Sequence, residues 1–249
     1  MQITPRHYKH APITEAVIAI GFESQSGAGQ QDIRGMHDLL KSAYPKRTEV
    51  FEIQVQVEPT AELPGRSGSR QVIGYQFAAG DEKRIVRLGR TEFAFSQLAP
   101  YDRWETLRAE AKRVWDLAEP ILGIKQITRV AVRYINRIDV ADPDGRGIDL
   151  DRYLRTAPRI APELPQMMRT YFVRLELEFK HPHGVVIITE TAAPPPSPGI
   201  VAAVLDIDVI MQNVSFDAQT AWQTVEDLRH EKNRVFESCI TDESRKLFV

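Results

Sequence analysis

The densest chemistry in this chain lies on three segments whose charged residues recur at alternate positions. Between Ile127 and Val140, Arg129, Arg133 and Arg137 share one parity, while Val130, Val132, Tyr134 and Ile138 share the other. Tyr171–Lys180 places Arg174, Glu176, Glu178 and Lys180 on one parity, and Ile200–Met211 adds Asp206 and Asp208. Alternate positions of a strand point to one face, so each segment predicts a strand with a charged side. Opposite charges on neighbouring antiparallel strands pair across a solvated face, each pair contributing roughly 0.2–1 kcal/mol. A clustered row of Arg129, Arg133, Arg137, Arg174 and Lys180 also has the chemistry to hold a small anion or an acidic protein partner.

The elements that position these residues follow from periodicity. Ala16–Phe22 predicts a strand, and Asp32–Tyr44 a helix with Ile33, Met36, Leu39, Leu40 and Ala43 inward. Glu49–Glu58 alternates cleanly and predicts a half-buried strand. Leu63–Ser69 reads as a flexible connection, followed by short strands at Val72–Phe77, Ile85–Leu88 and Glu92–Phe95. Asp102–Leu122 predicts a long helix on a stripe of Trp104, Leu107, Ala111, Val114, Trp115 and Ala118, ended by Pro120 and Gly123. The order then begins again. A long strand at Ile127–Val140 precedes a short helix capped by Asp149 and a hairpin of Tyr171–Lys180 with Val185–Thr191. Pro194–Pro198 reads as a stiff loop, Ile200–Met211 as a strand and Asp217–Cys239 as a long helix, with a last short helix from Thr241.

This order predicts an α+β fold made of a duplicated β-α-β-meander-α unit, with repeats at approximately 11–123 and 124–249. Its antiparallel sheet forms a saddle or a wide barrel, with the long helices on one face. Cutting near residue 124 leaves each half with an uncovered sheet edge, so residues 1–249 are expected to form a single domain.

Composition narrows the function classes. In 249 residues, 27% are charged and the net charge is −2, which argues against nonspecific nucleic-acid binding. The apolar stretch Ala16–Phe22 is too short for a signal-peptide core or a membrane span. The single Cys239 fits a reducing compartment, so a cytoplasmic location is expected. P-loop, G-x-G-x-x-G, G-x-S-x-G and H-E-x-x-H motifs are absent from the sequence. His7-x-x-His10 and His181-x-His183 lack companion ligands at metal-site spacing, and His230-Glu-Lys-Asn233 reads as the solvated flank of its helix.

Two resemblances bear on these readings. Pro12-Ile-x-Glu15-Ala16, Tyr101-x-x-Trp104, Arg133-Tyr-Ile-Asn-Arg-Ile-Asp139 and His230-Glu-Lys-Asn233, followed by Phe236, Ile240-Thr241 and Phe248, span nearly the whole chain. Together they resemble an uncharacterised, sporadically distributed family of bacterial proteins of this size. That resemblance carries no activity; patchy distribution suits accessory or defence genes. Glu176-Leu-Glu178-Phe-Lys180 resembles the E-x-E-x-K strand of triphosphate tunnel metalloenzymes, although there the signature lies on the first strand. This second resemblance implies a magnesium or manganese site built from Glu176, Glu178, Asp206 and Asp208, and triphosphate hydrolysis or cyclisation. The leading expectation is a binding protein without cofactor that holds a protein partner or a small anionic ligand, and a homo-oligomer is compatible with it.

Overall fold

Alternating apolar residues draw most of the chain into strands, and two long amphipathic runs form its main helices. The structure, a computed structural model, describes residues 6, 8–24, 30–57, 66–145, 147–180 and 183–249, with backbone alone at 30–32, 53–57, 66–70 and 213–216. It is an α+β fold with one nine-stranded antiparallel sheet and four helices. The strands are β1 (Ile13–Ser24), β2 (Lys46–Val57), β3 (Arg66–Ala78), β4 (Arg84–Gly89), β5 (Glu92–Leu98), β6 (Ile124–Ala141), β7 (Phe172–Lys180), β8 (His183–Ala193) and β9 (Ile200–Phe216). The helices are α1 (Gln30–Leu40), α2 (Trp104–Leu122), α3 (Ala218–Cys239) and α4 (Asp242–Lys246), with a single 3-10 turn at Leu150–Arg152. Among the described residues, no helix is long and apolar enough to cross a membrane.

The sheet order is β2-β3-β4-β5-β1-β6-β9-β8-β7, so β2 and β7 are edges at opposite ends. The sheet is open, and the wide barrel considered from sequence is not formed. The charged series Arg174, Glu176, Glu178 and Lys180 runs along the β7 edge, where it opposes further strand addition. Arg66–Ser69, read as part of a connection, instead extends β3, because Val57 pairs with Arg66. Leu63, Pro64 and Gly65 lie outside the described residues.

Helix ends follow their local chemistry. The Asp217 side chain accepts from the Thr220 backbone N–H at 2.6 Å and starts α3. Pro120 does not stop α2 but falls inside its last turn. The helix ends at Gly123, whose φ of 56° is in the left-handed region.

The inward parity of β1 (Ala16, Ile18, Ile20, Phe22), β6 (Val130, Val132, Tyr134, Ile138) and β9 (Leu205, Ile207, Val209) joins the stripes of α1, α2 and α3 in one hydrophobic cluster. Helix α1 contacts α2 and β3, α2 contacts β1 and β5, and α3 contacts β6 and β9. On the other parity a small apolar patch, Ala19, Ala94, Ala131 and Ile210, occupies the middle of the sheet.

Trp115 ties these layers together. Its fully buried ring meets Phe93 edge-on at 5.4 Å and Phe22 at 6.0 Å. Trp115→Ala is expected to lower stability by about 3–5 kcal/mol. Urea unfolding followed by far-UV circular dichroism measures this, and a loss below about 1 kcal/mol contradicts the assigned core.

Candidate functional site

The charged parity of β6, β7 and β9 is where the sequence places the site, and the register determines what it can do. Arg133 lies opposite Asp208 on β9 and Val17 on β1. Its guanidinium turns diagonally to Asp206, with Nε donating at 2.9 Å and Nη2 at 2.6 Å. This two-pronged geometry is the strongest form of the pair, and it holds the Arg133 proton more tightly than usual. Arg129 stands 3.8 Å from Asp208, and Arg174 stands 3.7 Å from Glu176. Arg137 donates to Asp139 at 2.9 Å and to the Pro194 carbonyl at 2.7 Å. Lys180 pairs in register with His183, beside the β7–β8 turn. All four arginines thus have acidic partners on the protein itself, and burial raises the Asp208 carboxyl against the opposing pull of Arg129 and Arg133.

The same register keeps the acidic residues apart. Strand β8 lies between β7 and β9, so Ile187 separates Glu176 from Asp208, and Thr189 separates Arg174 from Asp206. Among the described residues, no group of three His, Cys, Asp or Glu side chains gathers to hold a metal. An open sheet also provides no tunnel. Glu176, Glu178, Asp206 and Asp208 therefore do not fit the magnesium or manganese site that the second resemblance implies. His10 and His183 are exposed, and His7 and His181 lie outside the described residues. Cys239 is buried, and burial pushes its thiol up to about 12, which suits a core residue and not a nucleophile.

A different place brings the quoted sequence patterns together. A cavity of about 560 Å³ lies among the segment 8–13, the start of α2, strand β6 and the second half of α3. Pro12, Ile13, Tyr101, Trp104, Tyr134, Asn136, Lys232, Asn233 and Phe236 all line it. The segment before β1 is pinned at both ends: Arg137 N–H donates to the Pro12 carbonyl at 2.8 Å, and His10 N–H to the Phe248 carbonyl at 3.0 Å. Tyr8 packs edge-on against Phe248 at 5.5 Å and donates its hydroxyl to Glu237 at 2.7 Å. Glu237 also accepts from Arg245 at 3.0 Å.

The cavity wall is polar and mostly self-satisfied. Tyr101 and Tyr134 join hydroxyls at 2.8 Å. Burial raises the Tyr101 hydroxyl to about 12 and the Tyr134 hydroxyl well above its ordinary value, so both stay protonated near neutrality. Asn136 donates to the Leu205 carbonyl at 3.0 Å, Trp104 donates to Glu226 at 3.0 Å, and the Arg229 guanidinium lies 5.3 Å from the Trp104 ring. Lys232 differs from its neighbours. Its ammonium sits 3.6 Å above the Tyr134 ring, and among the described residues no carboxylate pairs with it and no hydrogen bond reaches it. Burial, reinforced by Arg229, pushes this amine down to about 7, with Glu237 opposing.

Five cationic side chains line the cavity: Arg6, Lys9, Arg103, Arg229 and Lys232. They face three acids, Asp102, Glu105 and Glu237. These acids are engaged, by Arg103 at 3.6 Å, by Arg229 at 3.7 Å, and by Arg245 and Tyr8 respectively. The balance left over is positive. No protein-family model and no curated protein matches this chain.

The sequence reading of His230-Glu-Lys-Asn as a solvated flank holds for His230, which is exposed, and is corrected for Glu231 and Lys232, each only 8% exposed. The signal was present in the spacing. Val225, Leu228, Lys232, Val235, Phe236 and Cys239 fall at i, i+3, i+7, i+10, i+11 and i+14, one helical stripe with a lysine inside it. Glu190 was missed in a similar way. It sits on the inward parity of β8 and is fully buried, accepting from Thr156 at 2.6 Å and Tyr171 at 3.1 Å.

Lys232 makes stability depend on pH. The unfolded lysine keeps its proton to about 10.5, whereas the folded one releases it near 7. Between those values the unfolded state binds more protons, so this group's destabilisation is full below about pH 7 and is relieved as pH rises. The wild type should therefore gain urea stability relative to Lys232→Met from pH 6 to pH 9. A difference that stays constant over that range contradicts the depressed amine.

Proposed function

We propose that this protein binds a small anionic ligand, and that the site is the cavity over Lys232 instead of the arginine row. The observation that carries this reading is a lysine only 8% exposed, with no acidic partner among the described residues, that lines a cavity of ligand size. A buried unpaired charge costs several kcal/mol, and an entering phosphate or carboxylate offsets that cost directly. Each sheet-face arginine already stands beside an internal acid, Arg133 and Arg137 hydrogen-bonded to Asp206 and Asp139, Arg129 and Arg174 within 3.8 Å of Asp208 and Glu176, so an anion there competes with an internal carboxylate.

We also infer that the chain is a duplication forming one unit, with repeats at approximately 11–123 and 124–249. Strand order supports this: reading outward from β1 gives β5, β4 and β3, and reading outward from β6 gives β9, β8 and β7. Helix α2 lies against β1 and β5, as α3 lies against β6 and β9, which supports equivalent helices on one sheet face. In the second repeat the 3-10 turn at Leu150–Arg152 stands where the first has α1, and β2 has no counterpart. The cavity would then lie where the two units meet, with Tyr134 from the opening strand of one and Tyr101 from the segment leading into the closing helix of the other.

Isothermal titration with inorganic phosphate and with acetate at pH 6.5 tests the ligand reading. Binding of at least one of these ions is expected, and Lys232→Met should weaken it by about tenfold or more, which corresponds to ~1.4 kcal/mol. Arg133→Gln, on the other sheet face, should leave the affinity unchanged. Absence of binding for both ions, or equal affinity in Lys232→Met, contradicts the assignment.

A further inference from the structure

We propose that Lys232 forms an imine with a small oxo acid held in this cavity, an inference that rests on the anion site proposed above. Three observations converge on it. The amine is buried and has no acidic partner among the described residues, and Arg229 stands one turn before it on α3. A lysine desolvated next to another cation is in the environment that makes an amine a nucleophile near neutrality. Second, Arg6 and Lys9, which form no ion pair among the described residues, line the same cavity, so a carboxylate can be gripped while another part of the molecule reaches Lys232. Third, the linked hydroxyls of Tyr101 and Tyr134 lie alongside, with the amine resting on the Tyr134 ring, so a proton donor is already in place.

The chemistry balances without any further reagent. The neutral amine attacks the carbonyl carbon, a C–N bond forms, and the carbonyl π electrons move to oxygen. That oxygen takes a proton from the tyrosine pair, which recovers one from the nitrogen, giving a carbinolamine. The second nitrogen proton then leaves with the hydroxyl group as one molecule of water, and the C=N bond forms. Nothing is oxidised or reduced. A phosphate or acetate ion would fill the anion grip but has no ketone or aldehyde carbon to react, so simple binding and imine formation are separable.

The test uses the full chain with pyruvate or glyoxylate and sodium cyanoborohydride at pH 7, read by intact-mass and peptide-mapping mass spectrometry. The expected result is one reduced adduct per chain, located at Lys232. It should form at least about tenfold faster than adducts at exposed lysines such as Lys41 and Lys125. Saturating phosphate should slow it, and Lys232→Met should abolish it while retaining the wild-type circular dichroism spectrum. Tyr101→Phe keeps the amine, and should slow trapping at saturating oxo acid by about tenfold or more. No adduct, or adducts spread evenly over exposed lysines, with phosphate still bound, overturns the imine and leaves the anion site standing. If neither phosphate nor oxo acid engages the cavity, both fall together. An unchanged trapping rate in Tyr101→Phe overturns the role of the tyrosine pair.

Discussion

Antiparallel pairing of β1 with β6 is the seam on which the remaining geometry depends. It joins the two ends of the sheet order, with Ala16 opposite Tyr134, Ile18 opposite Val132 and Ile20 opposite Val130. These inward residues share one hydrophobic cluster with buried residues of α2 and α3. On the other parity, Ala19 opposite Ala131 keeps the middle of the sheet narrow and apolar. At one end the register shifts between Ile13 and Glu15, and there the chain before β1 leaves the ladder. The shift lets segment 8–12 cross to the C-terminal residues, with the His10 N–H held by the Phe248 carbonyl, and roofs the cavity between α2 and α3. A one-residue slip of β6 would invert every one of these faces and expose Tyr134.

The two sides of the sheet solve the same electrostatic problem differently. On the charged side, Arg129, Arg133, Arg137 and Arg174 find carboxylates within one or two strands, and water can reach most of the pairs. Such pairs organise a surface but add little net stability. Around the cavity, Glu237, Tyr8 and Arg245 satisfy one another in a part-buried cluster, and Trp104 donates to Glu226. Lys232 rests on the Tyr134 ring and pairs with no carboxylate among the described residues. Attraction to the Tyr134 ring lessens the desolvation cost of the ammonium without removing it.

How much of this was legible in the sequence depends on which period carried the signal. The parity of Ile127–Val140 located β6 and assigned its two faces, because one-sided burial imposes a repeat of two. The stripe Trp104, Leu107, Ala111, Val114, Trp115 and Ala118 located α2 for the corresponding helical reason. Strand neighbours were less visible. The hairpin β7–β8 foreshadowed that β8 separates Glu176 from Asp208, but whether the ends of the sheet met was set by tertiary contacts. The candidate cavity was hidden for another reason. Its residues come from four distant segments, and its most informative member, Lys232, is a polar residue on an apolar stripe, where composition suggests a solvated flank. The quoted patterns around Pro12, Tyr101, Tyr134 and Lys232 were all seen, yet only folding brings them within one cavity.

The buried Lys232 amine, with no carboxylate paired to it among the described residues, is the centre of the proposed anion site. Nuclear magnetic resonance of side-chain-labelled lysine, assigned by comparison with Lys232→Met, follows that amine directly through a pH titration. The account predicts one lysine titrating near 7, separate from the others, whose midpoint rises when phosphate saturates the cavity. A Lys232 midpoint at the ordinary value of 10.5 that does not respond to phosphate would contradict it.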